Sequence, residues 1–162
     1  MRLVTDPQEL AFVETCYARA VEIARKATCS RSRCGSVIAK DGEIIGEGFN
    51  SPAGGLESRR RCACAKSDLD SKVTDKTCCV HAEQRAIMDA LAKNPDKLPG
   101  ATLYFVRLDG EGAPKRSGEP YCTICSKMSL DSGIAEFVLW KPEGYAAYPT
   151  EEYDAVSYAY RS

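Results

Sequence analysis

The 162-residue chain sets 22 Lys and Arg against 23 Asp and Glu, a formal charge of -1, which leaves no electrostatic footprint for long nucleic acid. The N-terminus lacks a basic segment followed by an apolar run, and no stretch approaches the length of a membrane span, so a cytoplasmic protein is expected. Its length suits one domain over residues 1–162 that folds without disulfides, and nine cysteines, an odd number, read as metal ligands or core thiols in a reducing compartment.

Asp6-Pro7-Gln8-Glu9 is a helix-opening signature: an N-cap, a proline at the first helical position and an acid in the first turn. Leu10, Val13, Tyr17, Ala20, Val21 and Ala24 follow at helical spacing and predict one buried face. The polar run over residues 28–33 ends that helix. It reads either as a phosphate or ribose contact, through Arg31 and Arg33, or as a solvated loop. Residues 34–39 and 43–49 read as two strands joined by an Asp-Gly turn. Asn50 closes the second strand, where it either caps the turn or offers its amide to a ligand.

Residues 51–79 show no period of either kind, which is uncommon for a connection of that length in a compact domain. Arg59, Arg60 and Arg61 make a local positive group. Cys62, Cys64, Cys78 and Cys79 place thiols at both ends. With Cys29 or Cys34 they could clip the loop around a second, structural metal; against this, cysteines that adjoin in sequence seldom share one ion, and free cysteine is commonly a core residue.

His81, the one histidine in the chain, opens a helix predicted over residues 81–93. Glu83, Ala86, Ile87 and Ala90 share a face of it, so the acid lies in line with the buried stripe. A carboxylate there without a function would be expensive. A strand over 102–107 leads through a Gly-rich loop to Pro120, and Cys122 and Cys125 follow at i and i+3, both on one side of a helical first turn. With a strand over 135–140, this span predicts a βαβ crossover with parallel strands. The tail over 141–162 carries five tyrosines and a helix predicted from Glu151 with Thr150 as its cap. Its aromatics either stack on a flat base or dock on the protein's own body or a partner subunit.

One imidazole and two thiolates suit zinc, and three protein ligands leave a fourth position open, as in catalytic sites. Glu83, two residues after His81, would be the non-ligating acid and base beside that position. This His-x-Glu followed by Cys-x-x-Cys resembles the zinc-dependent deaminases of cytidine, deoxycytidylate, guanine and tRNA adenosine, whose signature has this form. The resemblance covers about residues 7–140 and is nearest in look to the deoxycytidylate branch.

The resemblance implies a three-layer α/β/α sandwich with a mixed central sheet. It gives Zn2+ on His81, Cys122 and Cys125, Glu83 as the proton shuttle, Asn50 as a sugar contact, and the peptide groups of Ala82 and Thr123 as contacts to the base. It also implies hydrolytic deamination of a free cytosine nucleotide or nucleoside, and a homo-oligomer. Alternatives inside the resemblance are another amino-heterocycle, such as a purine or modified base, or a base within RNA or DNA; outside it stands a non-catalytic zinc module. Family members usually have proline directly before the first cysteine, whereas here Tyr121 stands between Pro120 and Cys122.

Overall fold

The computed structural model describes residues 1–161. After a short strand, β1 (Arg2–Leu3), Asp6 caps α1 (Pro7–Arg25), its carboxylate accepting from the amides of Gln8 and Glu9 at 3.0 and 2.9 Å. Proline fits the first turn because its missing N-H would be unpaired there anyway. The buried face is Val13, Cys16, Tyr17, Ala20, Ile23 and Ala24, while Leu10 and Val21 sit half-buried at its margin.

The expected hairpin forms from β2 (Arg33–Lys40) and β3 (Glu43–Phe49). Asp41 and Gly42 both adopt positive φ, 49° and 81°, which is what a two-residue hairpin turn needs to follow the twist of its strands. Beyond Asn50, β4 (Ser51–Pro52) pairs antiparallel with β5 (Cys79–Val80), so a two-rung ladder closes the ends of the aperiodic loop. The loop itself holds only short 3-10 turns. Then come α2 (Ala82–Lys93), β6 (Thr102–Leu108), β7 (Pro114–Lys115), α3 (Thr123–Asp131) and β8 (Glu136–Lys141). The tail contributes β9 (Gly144–Pro149) and α4 (Thr150–Ala159), so it is part of the body. Thr150 is the first helical residue rather than the cap, and its hydroxyl donates to the Ile134 carbonyl at 2.6 Å.

The main sheet runs β1-β9-β8-β6-β2-β3, with β7 added to β6. The β6–β8 pair is parallel, as the crossover through α3 requires, and the other pairs are antiparallel. Strand alternation sorts side chains between two cores. Val37, Tyr104, Val106 and Val138 meet α1 on one face. Ile38, Leu103, Phe137 and Leu139 meet Ala86, Ile87 and Ala90 of α2 and Tyr153 of α4 on the other. The result is the expected α/β/α sandwich with a mixed sheet.

Helix α2 lies unusually close to β3. A Cβ on Gly48 would stand 2.2 Å from the Ala82 carbonyl, and one on Gly46 would stand 2.5 Å from that of Ala86. Two glycines on the strand and three alanines on the helix thus fix the height of α2 above the sheet, and with it the residues at its N-terminus.

Candidate metal centre and active site

His81 follows β5 directly and occupies the N-cap position of α2. Its backbone N-H donates to the Gln84 side-chain oxygen at 3.0 Å, which holds the chain at the point where strand becomes helix. Cys122 is the N-cap of α3, and Cys125 lies in the first turn of that helix. The approach to Cys122 is also fixed, because Glu119 forms an ion pair with the nearly buried Lys141 and Pro120 is fully buried.

The starts of α2 and α3 face each other. His81 Nδ1 lies 3.2 Å from Cys125 Sγ and 3.3 Å from Cys122 Sγ, and the three donor atoms are all within 4.8 Å of one another. Zinc bonds of about 2.0 Å to nitrogen and 2.3 Å to sulfur, at a tetrahedral angle, separate N from S by about 3.6 Å and S from S by about 3.8 Å. The two N–S separations therefore fit zinc with movements of a few tenths of an ångström, and the two sulfurs, within 4.8 Å of each other, are near enough to share it. Glu83 is 5% exposed and lines the same cavity as His81 and Cys122, close enough for their charges to act on its carboxyl. It stands beside the donors without being one of them.

The electrostatics describe a charged pair beside a neutral thiol. The neighbouring Cys122 sulfur pulls the His81 imidazole up to about 9. Hydrogen bonds from Cys125 and His81, working against burial, bring the Cys122 thiol down to about 4. The same pairing with Cys122, reinforced by burial, holds Cys125 well above the usual thiol range. Burial and the Cys122 sulfur push the Glu83 carboxyl up. Without metal the site is thus an imidazolium-thiolate pair beside a thiol, and metal binding must displace the remaining protons.

His81, Glu83 and Cys122 line a cavity of about 300 Å³ together with Ala82, Asn50, Phe105, Arg107, Tyr121 and Tyr153, and with Arg31 and Lys66. Asn50 thus sits in its wall, but both ends of its amide already serve the backbone. Its Oδ1 accepts from the Cys34 amide and its Nδ2 donates to the Ser32 carbonyl, each at 2.8 Å. Of the other expected residues, Ala82 is fully buried against the cavity, whereas Thr123 is half-buried and does not line it. Arg33 and Arg59 to Arg61 also lie outside the lining, and Arg60 is tied to Glu57 and the Thr28 carbonyl.

Arg107, Phe105 and Lys66 carry no motif in the sequence, whereas Tyr153 is one of the tail tyrosines expected to stack or dock. Phe105 and Arg107 follow Leu103 at a spacing of two, so the strand period puts them on the face of β6 that α2 and α3 cover. Tyr153 stacks on Phe137 with centroids 4.0 Å apart, so the tail aromatic docks on the protein's own core while also reaching the cavity. Tyr121, the residue between Pro120 and Cys122, forms another wall: its hydroxyl meets the Arg107 guanidinium, and its ring lies 5.7 Å from that of Tyr160.

Residues 11–141 match the cytidine and deoxycytidylate deaminase zinc-binding region. The chain belongs to that family. It is a zinc-dependent hydrolytic deaminase. It is 30% identical over 125 residues to the deoxycytidylate deaminase of Mycobacterium phage D29, covering 74% of this chain and 86% of that protein. To the deoxycytidylate deaminase of Saccharomyces cerevisiae it is 28% identical over 117 residues, 71% of this chain but 33% of the yeast protein, so the deaminase spans about a third of that relative's length. In fold it is similar to the dCMP deaminase of cyanophage S-TIM5 (TM-score 0.53, 20% identity, 82% of each chain covered). It is also similar to the cytidine deaminase of Burkholderia pseudomallei (TM-score 0.55, 18% identity, 86% of this chain and 94% of that one). No helix among the described residues of the deaminase is long and apolar enough to cross a membrane.

Proposed function

We propose that the deaminase converts a free cytosine nucleotide of the dCMP type to its uracil form, with release of ammonia. The observation that carries this reading is a buried carboxyl, Glu83, beside a three-donor metal set on a cavity of nucleotide size whose lining also includes three cations, Arg31, Lys66 and Arg107. The names of the phage and yeast relatives support the same substrate class.

In this reading His81, Cys122 and Cys125 hold the zinc. When bound, zinc supplies the positive charge that makes a water acidic enough to act as a nucleophile at neutral pH. Glu83 takes the proton from that water and delivers it to the ring nitrogen beside the amidine carbon. As the oxygen bonds to the amidine carbon, Glu83 moves the proton left on that oxygen to the exocyclic amine, so the C–N bond breaks, the carbonyl forms and ammonia leaves. Burial keeps its carboxyl basic enough to do both. The Ala82 peptide group, where α2 leaves its first amides unpaired, holds the base edge. Asn50 keeps Ser32 to Cys34 in place and offers its remaining N-H to the sugar. Arg31 and Lys66 take the 5′-phosphate.

The whole chain, residues 1–162, acts as one catalytic domain in this reading, because β9 and α4 of the tail complete the sheet and the core around Phe137. It works in the cytoplasm as a homo-oligomer: its cysteines form no disulfide, and Met88 and Leu91 stand about half exposed on α2.

The test is ammonia release from cytosine, deoxycytidine, cytidine, CMP, dCMP, adenosine, guanine and short single strands. The expected order puts dCMP first, with Arg31→Ala raising its KM by about 10-fold or more, since a charged hydrogen bond contributes about 1.5–3 kcal/mol. Equal rates on dCMP and deoxycytidine, unaltered by Arg31→Ala, would exclude phosphate recognition.

A further inference from the structure

Cys29, Cys62 and Cys79 come from three separate segments: the turn after α1, the middle of the long loop, and β5. Their sulfurs nonetheless all lie within 4.8 Å of one another. Cys62 and Cys79 are buried and Cys29 is half-buried. Cys78, the sequence neighbour of Cys79, lines the same cavity wall as these three. Cys64 is exposed and Cys34 turns instead to the Ser32 hydroxyl at 3.3 Å, so neither belongs to the cluster.

The surrounding loop gives the cluster its meaning. Of residues 53–78, all of them described, only Cys62 is buried, so this segment brings no apolar core of its own. Long ordered loops need something to hold them, and small structures without a core rely on metals or disulfides. Here the one buried residue of the loop points at two thiols of the main body. The nearby donors are the kind that metal thiolates accept: the Arg61 amide donates to Cys78 Sγ at 2.9 Å, and Arg60 Nη1 lies 3.6 Å from Cys62 Sγ.

We propose that Cys29, Cys62 and Cys79, with Cys78 as the fourth sulfur, bind a second zinc ion that is structural and separate from the one at His81. Four thiolates around zinc form a closed tetrahedron with sulfurs about 3.8 Å apart and no open position, the pattern of structural sites. Such a centre carries two net negative charges, and Arg60 is placed to offset them. The ion staples the long loop to β5, two residues ahead of His81. Because all four thiols line the same cavity as Arg31 and Lys66, it also sets the wall in which those cations sit.

The test uses the full chain, stripped of metal and titrated with zinc and with Co2+, whose charge-transfer bands report thiolate ligation. The wild type is expected to bind two equivalents. Cys62→Ser binds one, and His81→Ala also binds one while keeping the thiolate-rich Co2+ spectrum. Trypsin, which has Arg59, Arg60, Arg61, Lys66, Lys72 and Lys76 available in the loop, should cut there faster in Cys62→Ser. Should that variant fail to fold, iodoacetamide labelling of the wild type decides the matter: Cys29, Cys62, Cys78 and Cys79 become reactive only after a chelator is added. One equivalent in the wild type, labelling of these four at equal rates with and without zinc, or a disulfide among them in the native protein overturns the proposal.

Discussion

The protonation pattern at His81, Cys122 and Cys125 makes a quantitative prediction about zinc affinity. With the imidazole near 9, about 99% of His81 carries a proton at pH 7. Cys125, held well above the usual range, carries its proton too, while Cys122, near 4, does not. Zinc needs a neutral imidazole and two thiolates, so binding releases two protons per ion. The apparent affinity then rises by about two powers of ten per pH unit, or about 2.7 kcal/mol, below pH 9. From pH 7.5 down to 6.5 the Kd weakens about 100-fold. A chromophoric chelator in competition, read at several pH values, gives the slope, and proton release into weak buffer gives the same count independently. Cys62→Ser isolates this site from the other thiols, and Glu83→Gln in that background removes the other buried acid whose protonation could change. A slope of one or less would mean the donors are already deprotonated without metal, and the imidazolium-thiolate description would be wrong.

Phe137→Ala removes a fully buried ring stacked on Tyr153, and should cost about 3–5 kcal/mol in denaturant unfolding while loosening α4, read as faster amide exchange over residues 150–159. Gly48→Ala places a Cβ 2.2 Å from the Ala82 carbonyl, so α2 must lift; zinc retention and turnover should both fall, whereas Gly110→Ala, whose added Cβ would meet nothing within 4 Å, should leave both in place. In metal-free protein Glu83→Gln should raise Tm at pH 7. Burial raises the folded carboxyl above its unfolded value of about 4.3, so ionisation costs stability as pH rises through and beyond that value, and the advantage of Gln should shrink as pH falls toward it.

Much of this was legible in the sequence. Asp6-Pro7, Asp41-Gly42 and the parallel β6–β8 pair follow from local rules, because capping, positive φ and crossover handedness leave few alternatives. The site was legible for a different reason: a single histidine restricts the choice of metal donor, and helix periodicity alone turned Glu83 inward. The cavity wall was harder to read. Arg107 lies on the covered face of β6 by strand alternation, but nothing local distinguishes a covered arginine from a solvated one at a strand end. Tyr153 depends on α4 folding back over Phe137, and Lys66 on the path of an aperiodic loop. Of the loop thiols, the sequence supplied the candidates but could not pair Cys29 with Cys62 and Cys79, since their meeting depends on where three separate segments end.

The most direct measurement is dCMP-dependent ammonia release by Glu83→Gln, with zinc counted per chain in the same samples. Proton shuttling by this carboxyl predicts zinc content equal to wild type and turnover lower by about 10²–10⁴. Full turnover with zinc retained would contradict it.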